Sequence, residues 1–137
     1  MENLTKRDGQ CPMDSKKNLV EPRYTLAVNS LDKSTEYYTT LLGFVVVAEY
    51  PGWAFLKRDS VILMLGECVD EAPASKIGDH SYFGYIEVRD AKVLFDEFAL
   101  KGVEFMKQLV DEPWGMREFG IRTIDGHRIM FGQDLDA

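Results

Sequence analysis

The run Val28-Asn29-Ser30-Leu31-Asp32-Lys33-Ser34-Thr35-Glu36-Tyr37-Tyr38-Thr39-Thr40-Leu41-Leu42-Gly43-Phe44 decides the fold, because it joins the end of a strand to a helix with a start signal and a stop. Ser30 or Asp32 is placed to cap that helix by accepting a hydrogen bond from the free N–H groups of its first turn. Tyr38, Leu41 and Leu42 form its apolar stripe, and Gly43 supplies the left-handed residue that ends it. The reading is a strand over 24–28 and a helix over about 32–42. The same order then recurs, with a strand over 82–88, a cap at Asp90, a helix over about 91–100 and Gly102. In that second helix Ala91, Leu94, Phe95 and Phe98 recur at i, i+3, i+4 and i+7.

The landmarks keep step. Val28 to Gly43 is 15 residues and Val88 to Gly102 is 14, while Asp59 to Gly66 and Asp125 to Gly132 are both seven. Matching order and spacing predict a duplicated βαβββ unit. The expected fold is α+β: two such units, about 23–66 and 82–134, form a curved mixed sheet around a cleft, with the helices on its outer face. Residues 1–22 are polar and lack an apolar period, so they read as a flexible leader to a single domain over 23–137. Period-two alternation sends Leu26 and Val28, Ile86 and Val88, and Ile129 and Phe131 toward the helices. The other face then carries Arg23, Thr25 and Ala27, Phe83, Tyr85 and Glu87, and Met64 and Met130. A cleft lined by these residues is where a ligand is expected.

Composition narrows the function. The 137 residues are 45% hydrophobic and 28% charged, ordinary values for a globular chain with its own core. No apolar run approaches the roughly 20 residues of a membrane helix, and no signal peptide is read at the N-terminus. A cytoplasmic protein without a membrane partner is the expectation. The formal charge of −7 argues against nucleic acid, which binds clustered basic surface, and favours a cationic ligand. Cys11 and Cys68 form no disulfide framework or metal-cluster spacing and read as free thiols. His80 and His127 read as solvated histidines at the rim.

The opening run resembles the first strand and helix of the vicinal-oxygen-chelate superfamily of glyoxalases, bleomycin-resistance proteins and extradiol dioxygenases, whose helix ends in an aromatic pair followed by Leu-Gly-Phe. The closing stretch Glu112-Pro113-Trp114-Gly115-Met116-Arg117-Glu118-Phe119, with Asp125-Gly126-His127-Arg128-Ile129-Met130-Phe131 after it, is similar to the pattern of the bleomycin-resistance-like branch. It departs at Ile124 and His127, where proline and asparagine are usual. The resemblance spans all but the leader.

It implies a scaffold on which catalytic members hold a divalent metal with His, Glu or Gln from four strands. The matching positions here are Arg23, Met64, Phe83 and Met130, none of them a ligand for a hard cation. The expectation is therefore a protein without metal or cofactor that binds and sequesters a bulky, preferably cationic small molecule, as a homodimer. The alternative is a lyase, isomerase or dioxygenase of the same superfamily with non-standard catalytic residues.

The candidate ligand-binding residues are Arg23, Trp53, Met64, Phe83, Tyr85, Glu87, Trp114, Arg117, Phe119 and Met130. Trp53 and Trp114 each adjoin a glycine and are read either as stacking platforms or as core aromatics. Arg117 and Glu118 are either an exposed pair of little worth or a pair of which one turns inward to orient a polar ligand. Glu87 is the one charge that alternation places among the cleft aromatics, to meet a cation or accept a proton. Met64 and Met130 are adaptable apolar lining.

Overall fold

The computed structural model describes residues 22–72 and 82–136 together with Asn18 and Lys76; the side chains of Tyr82 and Phe83 lie outside that description. The leader reading, Cys11 and His80 also fall outside the described residues.

The first half runs β1 (Tyr24–Val28), α1 (Leu31–Thr40), β2 (Val45–Tyr50), β3 (Trp53–Arg58) and β4 (Val61–Glu67). The second runs β5 (Tyr82–Glu87), α2 (Ala91–Leu100), β6 (Glu104–Asp111), β7 (Met116–Arg122) and β8 (Arg128–Asp134). Each half is one four-stranded sheet, in the orders β1-β4-β3-β2 and β5-β8-β7-β6. The first strand of each half pairs parallel with the last, and the other pairings are antiparallel. This is the duplicated βαβββ, mixed-sheet α+β fold that the repeated landmarks predict.

Local chemistry explains the helices. Of the two candidate caps on α1, Ser30 is the one used, its hydroxyl accepting from the Lys33 N–H at 3.3 Å. Asp90 caps α2 in the same way at the Val93 N–H, 3.1 Å away. Gly43 and Gly102 follow the helices at φ +77° and +79°, the left-handed region that disfavours a side chain. The first helix ends at Thr40 rather than Leu42, a boundary shift of the usual size.

Both sheets turn one face to a common core. Leu26, Val28, Leu56, Leu63 and Leu65 of the first half join Phe98, Phe119, Ile121, Ile129 and Phe131 of the second in one buried cluster. At its centre the Phe119 and Phe131 rings stack with centroids 5.1 Å apart, and Phe98 meets Phe131 edge-on at 5.7 Å.

The seam is stapled reciprocally, each half's last turn reaching the other half's helix. Arg58, ending β3, donates to both Glu97 oxygens at 2.8 and 3.0 Å and to the Leu42 carbonyl at 2.8 Å. These hydrogen bonds hold the Glu97 carboxyl below its ordinary range against the opposing pull of burial. In return Asp125, in the β7–β8 turn, accepts from the buried Ser34 hydroxyl at 2.5 Å and from the Asn29 N–H at 3.1 Å. Because both inner faces meet in this core, the opposite faces of the two sheets point away from each other.

His127 differs from the solvated residue expected of a turn. It is half-buried, and burial lowers its imidazole below the usual 6.5, with the Asp125 carboxylate offsetting part of the effect. The unfolded chain therefore takes up a proton that the folded chain refuses, so stability falls as pH drops through about 6.5. Urea denaturation should show less stability at pH 5 than at pH 7, and His127→Gln should flatten that slope; an unchanged slope would place the effect at another residue.

Candidate functional site

The open face of the second sheet is built by alternation along β7. Phe119 and Ile121 turn to the core, which sends Glu118 and Gly120 to the other side. Gly120 pairs with Met130, and Glu118 with Gly132, on β8. Tyr85 on β5 is the parallel partner of Met130, and Lys107 on β6 lies opposite Gly120. The two glycines clear the floor. A Cβ on Gly120 would press on the Met130 sulfur, 2.7 Å away, and one on Gly132 would overlap the Tyr85 phenol.

Glu118 is the centre of this face. Its residue is 5% exposed, and its carboxylate accepts from three donors. Tyr85 Oη donates to Oε2 at 2.6 Å, Trp114 Nε1 donates to the same oxygen at 3.2 Å, and Lys107 Nζ donates to Oε1 at 2.8 Å. Lys107 also donates to Glu112 Oε2 at 2.6 Å and stands 5.8 Å from the centroid of the Trp114 ring. Trp114 is carried by the turn between β6 and β7. There the Glu112 N–H donates to the Met116 carbonyl at 2.8 Å, and Gly115 takes φ +88°.

Electrostatics follow from these contacts. Burial works to raise the Glu118 pKa, but hydrogen bonds from Lys107, Tyr85 and Trp114 outweigh it and hold the carboxylate below its ordinary value. Burial, the hydrogen bond to Glu118 and that carboxylate's charge raise the Tyr85 phenol, with Glu87 adding a smaller push. Lys107 is lowered by burial, and its bonds to Glu112 and Glu118 reverse that into a net rise.

The result is an open cavity of about 770 Å³, lined by Gly84, Tyr85, Met106, Lys107, Trp114, Glu118 and Met130. What a ligand would touch is chiefly aromatic, since Trp114 is 63% and Tyr85 44% exposed while the carboxylate beneath them is covered. A second cavity of about 590 Å³ opens at the seam, where the Arg58 and Glu97 side chains already satisfy each other. Convergent polar groups and exposed rings coincide at Glu118, which makes that face the candidate site.

Of the ten candidate residues, Tyr85, Trp114 and Met130 line this cavity. Phe119 does not: it is 0% exposed and part of the core, because it pairs with Phe131 and shares its face. Arg117 likewise falls on the side opposite Glu118 and pairs with the exposed Asp111 at 2.6 and 3.1 Å. Glu87 ends β5 on an exposed edge and lines the seam cavities rather than the one at Glu118. Trp53 and Met64 belong to the outer face of the first sheet, and the exposed Arg23 precedes β1 in the same half. Phe83 lies in β5, with its side chain outside the described residues.

Glu118, Lys107, Glu112 and Met106 were missing from the candidates, although Glu118 was weighed with Arg117 as a pair of which one turns inward. The signal for Glu118 was available in Phe119 and Ile121, which flank Gly120 at core spacing and so put Glu118 on the open face.

The first sheet repeats the pattern without the polar centre. Trp53 lies over Gly66, where a Cβ would come within 2.8 Å of its ring. Phe55 stands between Trp53 and Tyr50 at 6.4 and 5.4 Å, and pairs with Met64 across the strands.

The four positions that the resemblance matches to divalent-metal ligands do not fit one by their chemistry. Met64 and Met130 offer thioethers, Arg23 is a permanent cation, and Phe83 is a hydrocarbon. Lys107 adds a fixed ammonium to the second-half face. Among the described residues no three His, Cys, Asp or Glu side chains converge.

Comparison with known proteins agrees with this geometry. A search of curated proteins finds no match. Among solved structures, the bleomycin resistance determinant encoded on transposon Tn5 superposes with a TM-score of 0.69 at 17% identity, covering 85% of this chain and 98% of that one. The bleomycin-binding protein of bleomycin-producing Streptomyces verticillus, complexed with copper(II)-bleomycin, gives 0.67 at 19% identity, covering 84% and 96%. Lactoylglutathione lyase from Agrobacterium tumefaciens gives 0.65 at 19% identity, covering 85% and 96%. At such identities the likeness establishes the fold alone. The sequence profile of the Glyoxalase/Bleomycin resistance protein/Dioxygenase superfamily matches residues 22–131, and the chain belongs to that superfamily.

Proposed function

We propose that this chain binds and sequesters a bulky, planar small molecule on the Tyr85–Trp114 face, without a metal and without transforming it. The observation that carries this reading is the Glu118 network, which fixes two exposed rings beside a 770 Å³ cavity and leaves the carboxylate little free capacity. A base needs a free lone pair within reach of substrate, and the acceptors of Glu118 already serve three donors. The bleomycin-binding protein and the bleomycin resistance determinant among the similar structures support a binding role, and the lyase among them shows that the scaffold alone does not choose.

Calorimetric titration with planar aromatic compounds, and separately with bleomycin, is the direct test. Trp114→Ala should weaken binding about tenfold, the loss of roughly 1.4 kcal/mol expected when one stacking ring is removed. An unchanged affinity would take the ring out of the site. Thermal melts with zinc, nickel, manganese or iron should show no gain. A metal bound only by the folded chain would add about 2.7 kcal/mol at a hundredfold excess over its dissociation constant. A gain of that size would return a metal enzyme to first place.

The proposal extends to a homodimer in the cytoplasm. Both outer faces are open, and the first one exposes Val45, Tyr50 and Trp53 on a single side of β2 and β3. A second copy laying that apolar face over the Tyr85–Trp114 cavity would complete a two-walled cleft, which two-fold symmetry would produce twice. Such an interface should bury more than about 1,000 Å². Sedimentation at micromolar concentration should give about twice the 15.6 kDa of one chain, and Trp53→Glu should shift it to monomer; a wild-type monomer with undiminished ligand affinity would remove the second wall.

A further inference from the structure

The charge of −7 attracts a cation at long range, but contact geometry at the cavity works the other way. The place a ligand cation would take, over the Trp114 ring and against Glu118, already holds the Lys107 ammonium. An ammonium has three N–H donors and no acceptor. Two are used, on Glu112 and Glu118, and one remains at the cavity wall. Tyr85 and Trp114 have each committed their single polar hydrogen to Glu118. The carboxylates are covered, with side-chain exposures of 7% for Glu118 and 19% for Glu112 against 29% for Lys107. Of this cluster, the polar hydrogen left for a ligand belongs to Lys107.

We infer that Lys107 is the specificity-determining residue of the cavity, selecting planar aromatic ligands that carry an anionic or hydrogen-bond-accepting group at one edge and rejecting cationic ones. The inference rests on the binding role proposed for the Tyr85–Trp114 face and names the ligand class that role would serve. Selection has an attractive and a repulsive arm. An edge carboxylate, phenolate, carbonyl or ring nitrogen accepts the third N–H, whereas an edge ammonium meets the more accessible Lys107 ammonium while the two carboxylates that would attract it are covered. The Trp114 and Tyr85 rings supply stacking area to either ligand, so the edge group makes the difference.

Three probes sharing one ring system separate these effects: 2-naphthoate, 2-naphthylmethylammonium and uncharged 2-methylnaphthalene, titrated calorimetrically at pH 7. The wild type should bind 2-naphthoate at least tenfold more tightly than 2-naphthylmethylammonium. Lys107→Gln should erase or invert that order, and Lys107→Arg should keep it. Glu112→Gln, which keeps an acceptor for Lys107 but removes one carboxylate charge from beside its ammonium, should widen it. Equal or reversed order in the wild type, with 2-methylnaphthalene still bound, would overturn the role of Lys107 and leave the stacking site standing. An order unaffected by both Lys107→Gln and Glu112→Gln would do the same. Failure of all three probes to bind would bring down the binding site and the selection together.

Discussion

Successive side chains of a strand point to opposite faces, and in this chain one face of each sheet is committed to a core that the two halves share. Everything else follows from that commitment. Leu63 and Leu65 on β4 and Ile129 and Phe131 on β8 turn inward together. Met64 and Met130 must then turn outward, onto faces that point apart. The reciprocal staples, Arg58 to Glu97 and Asp125 to Ser34, hold the halves in this relation with charged or buried hydrogen bonds. The outer faces are consequently open ground within one chain, and the chemistry placed on them is free to differ.

They do differ, and the difference begins at one pair of equivalent positions. Trp53 pairs with Gly66 on the first sheet, where Glu118 pairs with Gly132 on the second. An indole at that point folds back over its glycine and leaves an apolar aromatic surface. A carboxylate at the equivalent point cannot be left bare, since stripping a partner from a buried charge costs about 3–5 kcal/mol. Tyr85, Trp114 and Lys107 answer that demand, and in doing so they set the positions of both exposed rings. The order of this face is therefore a by-product of satisfying Glu118: the two exposed rings gain one fixed orientation because their polar ends are tied down.

Legibility of the site in the sequence followed the same logic. Tyr85 and Met130 were readable because each lies one residue from a hydrophobic position in a cleanly alternating strand. Phe119 was read onto the wrong face, and of the readings left open for Arg117 and Glu118 the structure turns Glu118 to the open face and pairs Arg117 with the exposed Asp111. An aromatic beside a charged pair looks like a binding motif, but the register with Phe131 and Ile129 makes Phe119 core. Lys107 had no signal at all. Its strand β6 is irregular, with register shifts on both sides of that residue, so alternation could not be carried along it. His127 shows the converse error, since turns are usually solvated but this one is pressed against the other half's helix through Asp125.

By itself the sequence determined the elements and their duplication, because caps, glycine stops and apolar periods act over a few residues and need no distant partner. The resemblance it carries also matched Arg23, Met64, Phe83 and Met130 to the metal-ligand positions, an expectation that rests on residue identity at a spacing. Which residues share a cavity was decided by tertiary structure alone. Sheet order within the second half brings Tyr85 of β5 to the β6–β7 hairpin that carries Lys107, Trp114 and Glu118, and the packing of one half on the other turns Trp53 and Met64 to the far side. The Tyr85–Glu118 contact depends on the strand order of the sheet, which no local pattern encodes, and the Lys107 and Trp114 contacts depend on the irregular register of the β6–β7 hairpin, which alternation does not predict.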